Sequence, residues 1–237
     1  NVTSGQRNTA VGYQSGYYNA TGDDNTYLGH FTGTGNGNHS DNTIIGSYAM
    51  YTLTSGEANT AVGKDALKAI TTANRNTAIG FQAMYTEDAD GDRNTAIGYQ
   101  ALTTLNAGVE GYNVAIGYNA GQDMSTGQRN TLIGTASGAN LTTGIRNVAI
   151  GYEALAAEDG NGRAVAIGYA ALKTQNAGSE IYNTAIGYGA AQLLTTGAEN
   201  TIIGGLAGDA LTDADYNTVV GTEALSTDTL GSRSTAI

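Results

Sequence analysis

The chain has 237 residues, a net charge of −11, 35 glycines and neither proline, tryptophan nor cysteine. Without thiols there is no disulfide scaffold and no thiolate metal centre, and the acidic balance works against a polyanionic partner such as nucleic acid. No run of the roughly 18 apolar residues that a membrane span needs occurs, and glycine does not recur at the period of three that collagen requires.

A five-residue phrase, N-T-A-I-G or a close variant, starts at Asn8, Asn25, Asn42, Asn59, Asn76, Asn94, Asn113, Asn130, Asn147, Ala164, Asn183, Asn200, Asn217 and Ser234. The steps are 17 residues, apart from one of 18 and two of 19. Units this short cannot fold alone and must stack on their neighbours. Residues 1–237 are therefore expected to form one array of about 13 coils of 17 to 19 residues. With no initiating Met, and stopping just short of the next expected glycine, the chain is expected to be an excerpt of a longer fibre.

Places in the repeat are counted from its start. Place +1 is Thr or Val in every copy, which favours strand. Place +3 is Val, Leu or Ile, and place +4 is Gly in all complete copies. A short strand is thus expected to end on a glycine corner, as at Gly80, Gly98, Gly117, Gly134, Gly151, Gly168 and Gly187. The run that follows, commonly Y-x-A-L, predicts a second strand, and polar segments such as S-T-G-Q-R return the chain to the next start. The expected fold is all-β, a solenoid or β-roll with two strands per coil. At about 4.8 Å per coil it would span roughly 60 Å.

Strand alternation puts +1 and +3 on one face and +2 on the other. The +3 column (Ile79, Ile97, Ile116, Ile133, Ile150, Ile167, Ile186) is expected to form the coil core. The +2 column is apolar in every copy and is then expected outside, where a continuous apolar stripe demands a cover. Ala61, Ala78, Ala96, Ala115, Ala149, Ala166 and Ala185 accordingly predict an oligomer interface, most simply in a parallel homotrimer.

Taken along the chain, the departures from the repeat carry the candidate chemistry. His30 and His39 are the only histidines and have no partners that would complete a triad or a zinc site. Glu87, Asp88, Asp90 and Asp92 alternate as in a calcium loop but lack its closing Glu, which leaves a weak calcium candidate beside the reading as a solvated acidic turn. The longer coils carry the similar turns Leu105 to Tyr112 and Gln175 to Tyr182, 70 residues apart, expected to bulge as partner-facing loops. All seven arginines stand immediately before a start, where pairing with acidic neighbours or carbonyls is expected rather than polyanion binding. The Asn starts predict a stacked amide ladder. Tyr13, Tyr99, Tyr118, Tyr152, Tyr169 and Tyr188, with Phe81, form an aromatic column suited to shielding the corner or to stacking on sugar rings.

The run N-T-A-I-G-Y-Q-A-L (Asn94 to Leu102), recurring with T-T-G-x-R/E-N between copies, resembles the shaft repeats of bacteriophage tail fibres and related virion fibres. More distantly it is similar to the head repeats of trimeric autotransporter adhesins. The resemblance implies a trimeric, left-handed β-roll in a virion or at a cell surface.

The leading expectation is a structural shaft segment of a trimeric phage tail fibre involved in host attachment, with a bacterial adhesin or extracellular filament as the alternative. A remote alternative is an ice-binding solenoid, prompted by the Thr column but opposed by the expected burial of the Ile column on the same face. A glycan depolymerase would need carboxylate columns facing each other across chains. No enzyme activity and no cofactor are expected. The expected partners are further copies of the chain and, through parts outside this segment, a cell-surface glycan or receptor.

Overall fold

The computed structural model describes residues 4–86, 91–106, 111–160 and 162–237. The described residues contain no helix, and the chain divides into two compact units, Asn1–Ile116 and Gly117–Ile237. Each is a parallel β-solenoid.

In the first unit the strands are β1 (Thr9–Val11), β2 (Thr26–Leu28), β3 (Thr43–Ile45), β4 (Thr60–Val62), β5 (Thr77–Ile79), β6 (Thr95–Ile97) and β7 (Val114–Ile116). In the second they are β8 (Thr131–Ile133), β9 (Val148–Ile150), β10 (Val165–Ile167), β11 (Thr184–Ile186), β12 (Thr201–Ile203), β13 (Thr218–Val220) and β14 (Thr235–Ala236). Neighbouring strands pair in parallel with like columns aligned, as in Thr60↔Thr77, Ala61↔Ala78 and Val62↔Ile79. The longer steps keep this register, since Thr77 still faces Thr95 and Val165 still faces Thr184. Inserted residues are therefore absorbed in the returns.

Each coil has one strand, not the expected two. The Y-x-A-L run is a chain of turns, because its second and fourth residues take left-handed backbone: Asp65 (φ 59°) and Leu67 (φ 49°) in one coil, Glu153 (φ 51°) and Leu155 (φ 53°) in another. Successive runs still hydrogen-bond as a ladder, with the Leu67 N–H donating to Ala83 O at 3.0 Å and Leu155 N–H to Ala171 O at 3.0 Å. The corner between strand and run is the glycine column. At Gly151 φ is 134°, and a Cβ there would stand 2.3 Å from Gly168 O, so both the dihedral and the backbone of the next coil exclude a side chain. Gly80, Gly98, Gly117, Gly134, Gly168 and Gly187 share this positive φ.

Inside and outside are the reverse of the sequence expectation. Ala61, Ala78, Ala96, Ala115, Ala149, Ala166 and Ala185 are 0% exposed within the single chain and line the coil's own core, so they form no interface with another copy. Ile79, Ile97, Ile116, Ile133, Ile150, Ile167 and Ile186 lie on the outer face, Ile79 exposed and the others half-buried among their own column. The alternation holds; volume decides its sense. In coils such as the one from Asn59, large residues at +8 and +11, Leu67 and Ile70, fill the narrow interior and a methyl at +2 completes it, although the coil from Asn42 holds Ile44 beside Met50 and Leu53.

In three coils with a large +2 residue, Tyr27, Leu132 and Ile202, the +8 place is glycine, whereas the coil of Ile44 buries Met50 as well. Tyr27 lies between Gly16 and Gly33, where added Cβ atoms would come within 2.8 and 2.6 Å of its ring, and Leu132 lies against Gly138.

The Asn starts stack as amide ladders. In the first unit Asn25, Asn42, Asn59, Asn76, Asn94 and Asn113 each donate a backbone N–H to the Oδ1 of the preceding Asn at 2.8 to 3.0 Å. In the second, Asn200 and Asn217 do the same at 2.8 and 2.9 Å. Ala164 interrupts this ladder, and the 19-residue coil it opens supplies a replacement: buried Gln175 accepts from Asn183 Nδ2 at 2.7 Å through Oε1. These bonds satisfy buried amides that would otherwise be costly.

Candidate functional site

The strand faces that look outward are built from +1 and +3. Thr43, Thr60, Thr77 and Thr95 rise beside Ile45, Val62, Ile79 and Ile97 in the first unit, and Thr184, Thr201 and Thr218 beside Ile186, Ile203 and Val220 in the second. Val11, Leu28, Ile79, Ile203 and Val220 are 56, 45, 38, 37 and 36% exposed. In each unit this is a continuous ladder of hydroxyls and aliphatic groups, with its polar backbone already satisfied by neighbouring strands.

The arginine corner has a backbone cause. The residue before every start adopts left-handed backbone, with φ between 49° and 67°. Its N–H thereby reaches one coil back, as from Arg146 to Gln128 O at 3.0 Å and from Arg75 to Glu57 O at 3.0 Å. The side chain projects outward and meets its counterpart on the adjacent coil. Arg7 Nε contacts Asp24 Oδ1 at 2.5 Å, and that hydrogen bond holds the Asp24 carboxyl below its ordinary range. Arg93 lies over Tyr112, Arg163 over Tyr182 and Arg233 over Tyr216, at 5.4, 5.2 and 5.2 Å, and Arg163 also pairs with Glu180. Apart from Glu180, these are pairings along one column, and each is worth little at the surface. One place further back lies a ladder that the sequence reading missed: Asn74 N–H donates to Asp92 Oδ1, Ala198 N–H to Asp215 Oδ1 and Asp215 N–H to Ser232 Oγ, at 2.6, 2.8 and 3.0 Å.

Asp92 is thus an acceptor for Asn74, while Glu87, Asp88 and Asp90, the rest of the calcium candidate, lie outside the described residues. Part of the turn 105–112 also lies outside them, whereas residues 176–180 form an exposed turn between buried Gln175 and Ile181.

The two histidines separate completely. His30 sits on the surface, stacked on Tyr13 at 5.6 Å and edge-on to Phe31 at 4.3 Å. His39 is fully buried, 3.2 Å from the Tyr27 hydroxyl through Nδ1, and Asn19 Nδ2 donates to that hydroxyl at 2.7 Å. Burial pushes His39 down to about 4 and the Tyr27 hydroxyl well up.

The aromatic columns gather on the arm after the glycine corner. In the second unit Tyr152, Tyr169 and Tyr188 stack at 5.2 and 4.9 Å with interplanar angles of 9° and 10°. In the first, the rings of Tyr13, His30, Phe31, Tyr48 and Tyr51 contact one another, and Phe31 stacks on Tyr48 at 5.4 Å. Beside them a cleft of about 350 Å³ opens over the first three coils. A second cleft of about 310 Å³, in the second unit, is lined mainly by alanines and by the pair Glu153 and Lys173, 2.5 Å apart.

Among the described residues no helix is long and apolar enough to cross a membrane, and no cluster of three His, Asp or Glu side chains is placed to hold a metal. No family model, curated protein or solved structure matches the chain.

Proposed function

We propose that the chain is a structural shaft segment of a trimeric extracellular fibre, of the virion tail-fibre kind used in host attachment, and that its copies associate through the Thr and Ile face rather than through the alanine column. The observation that carries this reading is the outward aliphatic ladder: a registered stripe of Val, Leu and Ile running along each unit, far longer than scattered surface hydrophobes. Three parallel copies related by one axis would bury it symmetrically, and in-register columns suit such packing because every coil presents the same residues. A bacterial adhesin or filament would use the same scaffold.

Replacing Ile133, Ile150 and Ile167 together by Asp is expected to convert a three-chain particle into single chains in light scattering, with the far-ultraviolet circular dichroism of the folded coils retained. A parent protein that is a single chain at micromolar concentration overturns the proposal. In that event a second reading gains ground, because the Thr column, placed by sequence reasoning beside a buried partner, instead faces outward beside one that is exposed or half-buried. An ice-binding face would show thermal hysteresis and ice shaping in the single chain; association through the same face would abolish both.

A further inference from the structure

The cleft over the first three coils is lined by aromatic rings and uncharged polar groups, and we infer that it is a binding site for an uncharged sugar ring. Its aromatic lining comes from three separate coils: Tyr18 from the first, Phe31 from the second and Tyr51 from the third. Tyr18 and Tyr51 are 52 and 38% exposed, so their rings remain open to a ligand. Between and around them stand the amides of Gln14 and Asn36 and the hydroxyl of Thr34. No lining residue carries a formal charge. The combination matches the chemistry of a pyranose, whose axial C–H groups form an apolar face for a ring while its hydroxyls take hydrogen bonds from amides at the edge. The volume of about 350 Å³ falls at the small end of the roughly 300–1,000 Å³ of small-ligand sites.

The local sequence departs from the repeat in ways that shape this cleft. At +11 several coils bury a large apolar side chain, Leu53, Ile70, Leu105, Met124 and Leu141 among them, whereas Asn36 is exposed there. The interior is filled instead by Tyr27, His39 and Asn19, which frees the outer wall. The return of the second coil is rich in glycine and lies directly on the backbone below: a Cβ at Gly35 would stand 1.8 Å from Leu53 O. The chain here approaches its neighbour more closely than side chains allow, and the cleft occupies the space beside it. The cleft of similar size in the second unit, built from the same places of three successive coils, has Asn140, Glu153 and Lys173 where the first has Tyr18, Phe31 and Tyr51, and no ring lines it. An aromatic lining is therefore a property of this place and not of the coil geometry. The −11 net charge and the uncharged lining favour a neutral or amide-bearing sugar over a sulfated or phosphorylated one.

The site does not depend on three-chain assembly. Saturation-transfer NMR on the full chain, with glucose, galactose, mannose and N-acetylglucosamine each at millimolar concentration, tests it. Transfer to the ring protons of at least one sugar is expected. Tyr51→Ala should weaken it by about tenfold or more, Tyr51→Phe should retain it, and Asn36→Ala should reduce it with the fold unchanged by circular dichroism. Tyr169→Ala, in the stacked ladder of the second unit, should leave it intact. No transfer from any of the four sugars, or transfer that survives Tyr51→Ala, or equal loss in Tyr169→Ala, overturns the assignment. Mass by light scattering reports separately on the fibre reading.

Discussion

Moving side-chain volume from Leu132 to Gly138 tests whether +2 and +8 share one core. Leu132 is fully buried, so Leu132→Ala alone should cost about 2–5 kcal/mol through lost contacts and a cavity. Gly138→Leu alone drives a Cβ to 2.8 Å from Leu132 Cδ2 at a φ of 55°. Overpacking contributes about 1–3 kcal/mol, and left-handed backbone for a residue with a Cβ roughly 1–2 kcal/mol more. Independent effects would add to something on the order of 4–10 kcal/mol. The double variant instead recreates the pairing of Ala149 with Leu155, where Leu already adopts φ 53°. It should lie within about 2 kcal/mol of the parent, the residue of the backbone term. Urea unfolding by circular dichroism gives the three differences, and hydrogen exchange across residues 130–146 shows whether the damage is local. A double variant as unstable as the two singles combined would refute the shared core, and with it the placement of the alanine column inside the coil.

Gly151→Ala should lower stability by about 2–5 kcal/mol through its φ of 134° and the Gly168 carbonyl, whereas Gly205→Ala, with nothing within 4 Å of the added methyl, should leave the urea midpoint unchanged. His39 has its folded-state value lowered by burial to about 4, so the unfolded chain takes up the proton first and stability falls as pH drops from about 6.5 toward 4, by about 3 kcal/mol. Carboxylates such as Asp24 titrate in the same direction, so the contribution is read as the difference between parent and His39→Gln in urea midpoints at pH 7 and pH 4.5. Gln175→Leu removes the acceptor that Asn183 uses in place of the missing Asn, and should cost about 1–3 kcal/mol by the same unfolding assay.

Strand position, register and glycine corner were legible because each repeats in a single column: Thr at +1, Gly at +4, and a period that realigns Thr77 with Thr95 despite an extra residue. The amide ladder was legible for the same reason. The sense of burial was not read correctly, because +2 and +3 are both apolar and hydrophobicity cannot choose between them. Side-chain volume carries part of the missing signal, in some coils and not in others such as that of Ile44 and Met50. Tyr27 with Gly33, Leu132 with Gly138 and Ile202 with Gly208, against Ala149 with Leu155 and Ala166 with Leu172, are large-small exchanges visible in the sequence. The second strand failed for a different reason: left-handed backbone at residues such as Leu67, Glu153 and Leu155 carries no signal, because none of them is of a type enriched there. The aromatic cleft was invisible along the chain because Tyr18, Phe31 and Tyr51 belong to different columns and meet only once three coils are stacked.

The left-handed residues have a consequence for how the array comes into being. A coil such as the one from Asn59 contains Asp65 and Leu67, and Ala58 precedes it, all with positive φ. Each departure costs roughly 1–2 kcal/mol in isolation, and the bonds that offset it run to the coils above and below, as from Leu67 N–H to Ala83 O. A solitary turn of the chain is therefore disfavoured, and the first pair to form is a rare nucleus. Every later turn docks onto a finished edge that presents its acceptors in place, so growth proceeds like a zip, from whichever point closes first.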